Sequence, residues 1–224
     1  KCNLKVKKII LKSFSEGSQL INKNDTENFF KLKINKKNSN LSFFDQASFR
    51  YSENFNFGTD IIFNDISKIC SIDYDTIVNF LSNYYADDKK NSDESEFLEA
   101  SYFKNKIYRK IRKKLIINII DARIEEIIDI IFNKNINIKS FKKNNLKMYL
   151  VIKDKIIFNK FQVSFTSCCL KTTNINPVFI NDLDLDSSIE NVANLSAFGW
   201  KKEAIPIIQK KSSLIARVFK SIFG

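Results

Sequence analysis

FFKLKINKKNSNLSFFDQASFRYSENFNFGTDIIFNDISKIC, residues 29–70, decides the fold. FFKLKI (29–34) and LSFF (41–44) predict two strands around the polar link Asn35–Asn40. FRYSENF (49–55) places aromatics at near-alternate positions and predicts an extension of the same sheet. From Thr59 the period changes, because Ile61, Ile62, Ile66 and Ile69 recur at helical spacing. A sheet that passes directly into helix points to an α/β or α+β chain.

Upstream, LKVKKIIL (4–11) predicts a short strand, and Ser15–Ile21 a small polar helix or turn. Downstream, a second helix is expected near Asp75–Tyr85, carrying Ile77, Val78 and Leu81. The acidic stretch ADDKKNSDESEFLE (86–99) buries little and reads as a linker or solvent-facing loop. A long helix is expected from Lys104 to Phe132, with an apolar stripe through Ile107, Ile111, Leu115, Ile119, Ile124 and Ile128. Its first half is basic and its second half acidic, an order opposed to the helix dipole. Strand character returns with MYLVI (148–152) and IIFNKFQVSF (156–165) about the turn Lys153–Asp154–Lys155. Ser187–Phe198 predicts a small-residue helix stopped by Gly199. The expected organisation is a sheet part (1–70), a helical insertion (71–138), a return to sheet (139–199), a linker (200–211) and a terminal helix (212–224).

Composition narrows the function. The 224 residues carry 37 Lys+Arg against 25 Asp+Glu, a formal charge of +12, and no His. Without His the usual general base near neutral pH and the commonest metal ligand are both missing. The basic excess is Lys over Arg by 32 to 5, beside 34 Ile and 26 Asn, as A/T-rich codons alone produce. The charge therefore argues only weakly for nucleic acid. The 4 Gly are scattered and form no phosphate loop. Cys2 and Cys70 stand alone, and the adjacent Cys168 and Cys169 cannot easily bridge, so reduced thiols are expected. No catalytic site and no metal site is expected. No apolar run reaches the ~18 residues of a membrane-spanning helix, and the first residues show no signal-peptide core.

SSLIARVFKSIFG (212–224) is the sharpest physical signal. Leu214, Ile215, Val218, Phe219, Ile222 and Phe223 share one helix face, while Arg217 and Lys220 lie opposite, after Lys210 and Lys211. Large apolar residues on one side and cations on the other suit the boundary of an anionic bilayer. Pro206 and the polar connector WKKEAIPIIQKK (200–211) set this segment apart.

The ending NVANLSAFG, WKKEAIPIIQKK and SSLIARVFKSIFG resembles that of the FtsA family, actin-like cell-division proteins. Its members close with a helix ending in Gly, a linker and an amphipathic membrane helix. FGTDIIFNDISKIC (57–70) is similar to the family's G-x-x-[VI]-T-x-D-I segment, and DARIEEI (121–127) to its P-R-x-x-E-[IL] helix, with Ala122 in place of Pro. The resemblance implies an α/β fold, the second lobe of an actin-like (ribonuclease H-like) ATPase, and places a first phosphate loop upstream of Lys1. It further implies an adaptor that tethers FtsZ filaments to the cytoplasmic face of the inner membrane at the division septum and helps assemble the divisome. Arg123 and Glu126 fall where the family contacts the FtsZ C-terminal tail, and filament-forming self-association is a family property.

The departures lie at the nucleotide site. The family's D-x-G-G-G-T loop matches the hairpin Asn35, Lys36, Lys37, Asn38 and Ser39, which has neither Gly nor the acidic residue. Lys153-Asp154-Lys155 stands where the family's T-G-G turn meets adenosine. No cofactor is therefore expected, with ATP the family's candidate. Two rival functions are an actin-like ATPase with an eroded site and a basic nucleic-acid-binding protein using 104–114 and 139–160; the expected partners are protein and lipid, not nucleic acid.

Overall fold

The computed structural model describes residues 6, 8–86, 96–104, 106–136, 138, 146–173, 175–181 and 185–200. Helix α1 (Lys12–Asn24) precedes three strands, β1 (Phe29–Ile34), β2 (Ser39–Asp45) and β3 (Ser48–Phe55). Helices α2 (Asp60–Cys70), α3 (Tyr74–Ala86) and α4 (Lys113–Ile128) follow, then β4 (Lys147–Ile152), α5 (Phe158–Thr173), β5 (Pro177–Phe179) and α6 (Leu185–Phe198).

The strands form one five-stranded mixed sheet in the order β3-β2-β1-β4-β5. β1, β2 and β3 are an antiparallel meander, and β4 joins β1 in parallel after the helical excursion. β5 then extends the parallel side. A meander followed by parallel strands reached through helical crossovers meets the expected α/β class.

Strand alternation gives the sheet two buried faces. Phe30, Leu32, Ile34, Leu41, Phe43, Met148 and Leu150 point into the main core with Ile62 and Ile66 of α2, Ile120 and Ile124 of α4, and Phe161 and Phe165 of α5. Phe29, Phe44 and Tyr149 point the other way and meet Leu20 and Ile21 of α1.

Three sequence expectations are corrected. The helix foreseen from Lys104 begins only at Lys113, and it ends in a single π turn, Asp129–Asn133. The basic run before it is held in irregular backbone because Phe97 and Arg112 bridge as extended residues. IIFNKFQVSF is not a strand; Phe158 starts α5, whose buried residues Phe161, Phe165 and Cys169 recur at four-residue steps. Residues 8–11 form no strand, while the polar helix or turn expected after them is a full helix, most of whose second and third turns are buried. Phe198 ends α6 as expected, with Gly199 at φ 72° and its N–H donating to Leu195 O at 3.1 Å.

Candidate functional site

α2 and α4 pack side by side because each buries an aliphatic stripe, Ile62 and Ile66 on one and Ile116, Ile120, Ile124 and Ile127 on the other. The residues between those stripes and solvent line a groove of about 330 Å³, formed by Asp65 and Ile69 from α2 and Asn118, Ile119, Ala122, Arg123 and Glu126 from α4. Ile69 is 60% exposed although apolar. The groove's lining is aliphatic on one side, taken as the floor, and charged on the other, the rim.

Arg123 sits at the centre of that rim. Its Nε donates to Asp65 Oδ2 at 2.5 Å and its Nη1 to Glu126 Oε2 at 2.5 Å. Arg123 thus pairs within its own helix with Glu126, three residues on, and a second carboxylate from the neighbouring helix joins the pair. The Arg123 side chain is 24% exposed and that of Glu126 49%, so Glu126 is the more available to a partner. Asp65 had no local signal, since 58 residues separate it from Arg123.

The hairpin of residues 35–39 joins β1 to β2 and lies on the start of α2. Its backbone is already engaged: Asn35 N–H donates to Asn38 O at 2.9 Å, Thr59 N–H to Asn35 O at 3.0 Å and Asp60 N–H to Lys36 O at 2.8 Å. The side chains close the same turn, with Asn35 Nδ2 on Asn38 Oδ1 at 2.6 Å and Ser39 Oγ on Phe57 O at 2.7 Å. Gly58 permits this approach, because a Cβ there would come within 2.5 Å of Lys36 O and closer to Asn35 O. In the Lys153–Lys155 turn, buried Asp154 accepts from Thr59 Oγ1 at 3.0 Å and from Ile156 N–H at 3.1 Å. Side chains thus close both turns, and neither offers the open glycine backbone on which a phosphate or adenosine cradle is built.

The remaining reactive groups are tied down. Burial pushes the Cys169 thiol up to about 12 and raises Cys70 and Cys168, which removes thiolate character near neutral pH. Among the described residues no three metal-ligating side chains come together, and no helix is long and apolar enough to cross a membrane. Beneath α1, Glu16 receives Lys33 at 3.1 Å and Lys31 in a closer contact. This buried ion cluster, absent from the sequence reading, joins α1 to β1 and faces no groove of the candidate site. The membrane-face residues Leu214, Ile215, Arg217, Val218, Phe219, Lys220, Ile222 and Phe223 lie outside the described residues.

No protein-family model matches this chain, and neither does any curated protein. Among solved structures it is similar to the ethanolamine utilization protein EutJ from Carboxydothermus hydrogenoformans, at 9% identity over 74% of this chain and 47% of that one, TM-score 0.47. It is also similar to MreB 5 of Spiroplasma citri bound to AMPPNP, at 11% identity over 82% and 56% of the two chains, TM-score 0.49. A third is the PilM–PilN type IV pilus biogenesis complex, at 11% identity over 85% and 50%, TM-score 0.40. The chain spans about half the length of these structures.

Proposed function

We propose that this chain is the second lobe of an FtsA-like adaptor, which holds the C-terminal tail of FtsZ on one face and the cytoplasmic face of the inner membrane through residues 212–224. The α2–α4 groove carries this reading, with Ile69 and Ile119 as its floor and Arg123 and Glu126 at its rim. A short peptide that mixes charged and apolar residues matches such a surface, because apolar anchors bury on the floor while the rim sets register. The lobe works in this reading as a binding module at the division septum, with no catalytic step of its own and with filament-forming self-association as a further role.

The test is titration of an FtsZ tail peptide into the full chain, followed by fluorescence anisotropy. Ile69→Glu puts a charge on the groove floor without touching an ion pair, and Glu126→Lys inverts the exposed rim. Each is expected to weaken binding by about 1–3 kcal/mol, the order of an interface anchor, with melting unchanged for Ile69→Glu and slightly lowered for Glu126→Lys, which also gives up the pair with Arg123. Peptide that binds both variants as it binds the parent removes this surface from the function.

A further inference from the structure

The basic run before α4 forms a loop whose two ends are fixed. At its start Lys106 N–H donates to the carbonyl of buried Phe103 at 2.9 Å, and Lys106 Nζ pairs with Asp73 at 2.5 Å. At its end Leu98 N–H donates to the carbonyl of buried Ile111 at 2.8 Å, and Lys113 N–H to Glu96 O at 2.9 Å. Between these points the Tyr108 ring sits edge-on to Phe103, centroids 5.3 Å apart, and the Lys110 ammonium lies 4.4 Å from the centroid of Phe97. The anchoring leaves Ile107 outside, 88% exposed, beside exposed Arg109, Lys110 and Arg112. In a loop held this way the apolar side chain stands in water beside three exposed cations.

We propose that residues 106–112 form a membrane-contact tip that seats Ile107 among the headgroups of an anionic bilayer, with Arg109 and Arg112 on lipid phosphates. Charge complementarity selects an anionic surface, and the aliphatic tip selects lipid over a nucleic acid. An isoleucine gains nothing on a phosphodiester backbone, and the one aromatic beside it is already packed on Phe103, which withholds a stacking platform. The tip rests on this loop alone and would add a second contact to the one proposed for residues 212–224.

The experiment uses the full chain and vesicles of phosphatidylglycerol and phosphatidylcholine, with and without brominated acyl chains. Trp200 is the single native tryptophan and sets the baseline, while Ile107→Trp reports the tip. The added emission is expected to fall at least about twofold on brominated vesicles, and Arg109→Glu with Arg112→Glu to lower the bound fraction at least about fivefold, since each cation near the surface is worth about that factor. Circular dichroism melts of the variants identify any loss of folding. If the chain pellets with vesicles but the Ile107→Trp emission is quenched no more than the parent's, the tip is wrong while the terminal anchor stands. If the chain does not pellet at all, both fail. Binding of duplex DNA that the arginine reversals abolish, without lipid quenching, assigns the loop to nucleic acid instead.

Discussion

At Gly58 the hairpin of residues 35–39 and the start of α2 meet with no room for a side chain. Gly58→Ala forces Asn35 and Lys36 away from the amides of Thr59 and Asp60, and it is expected to cost about 2–4 kcal/mol, the range of overpacking plus lost hydrogen bonds. Gly199→Ala meets nothing nearby and carries only the left-handed strain of about 1 kcal/mol. Urea melts should rank the two in that order, and the reverse ranking refutes the close approach. Asp73 gives a pH signature at the same scale. Hydrogen bonds from Lys106 and Thr76 hold its carboxyl down to about 2. Because the folded value lies below the unfolded one, its contribution is complete above about pH 4 and is lost as pH falls towards 2. The parent should therefore lose stability through that window faster than Asp73→Asn. Parallel curves would mean that the pair with Lys106 contributes nothing. Under α1, burial would raise the Glu16 carboxyl, but Lys31 and Lys33 bring it below its usual value. That cluster is a buried ionic contact between α1 and β1, and removing the Glu16 carboxylate should be strongly destabilising.

Between elements, the decisive joint is α2 against α4. Arg123 read from its own helix is a solvated partner of Glu126; read across helices it bridges to Asp65 and becomes structural as well. Reversal to Glu would set three carboxylates against one another at a partly buried seam, so Arg123→Glu is expected to lower stability by about 1–3 kcal/mol. Thermal denaturation checks this, and an unchanged midpoint would show that the Asp65 bridge is worth little. The same substitution is a poor probe of peptide binding, which is why the groove floor at Ile69 is the better site. A second seam, α4 against α5, is tied by Asp121, which accepts Lys160 at 2.8 Å and Ser164 at 2.6 Å. This explains an acidic residue in the middle of α4 that no dipole argument predicts.

For the molecule as a whole, two expectations separate an adaptor from an ATPase. Calorimetry with Mg-ATP should detect no micromolar binding, because side chains fill the turns at 35–39 and 153–155; a clear micromolar isotherm would overturn the reading of both turns. Co-sedimentation with anionic vesicles should pellet the full chain and leave in solution both a truncation after Gln209 and Phe219→Glu. In the proposed anchor Phe219→Glu puts a charge among the apolar positions, where insertion would leave it without cheap solvation. Equal pelleting of all three would mean that other basic surfaces, the 106–112 loop foremost, hold the lipid.

The sequence by itself determined the elements whose pattern is local. The strands FFKLKI and LSFF about their polar link, the switch to helical spacing after Thr59, and Gly199 past the end of α6 each depend on neighbours within a few residues, and each has its counterpart in the structure. Missing glycines at 35–39 were equally legible, since backbone access is a property of the residues themselves. Tertiary structure decided the rest. IIFNKFQVSF carries enough β-branched and aromatic residues for a strand, yet burial of Phe161 and Phe165 on the sheet makes it a helix, because packing outweighs a propensity of under 1 kcal/mol. Lys31 and Lys33 alternate with apolar residues as if bound for solvent, and only the placement of α1 puts Glu16 over them. The basic run at 106–112 has a helical period, and its pairing with residues 96–98 together with the Lys106–Asp73 ion pair holds it as a loop. Asp65 meets Arg123 for the same reason. Contacts between distant residues follow from where whole elements pack, and that is set by the shared core rather than by any local stretch of the chain.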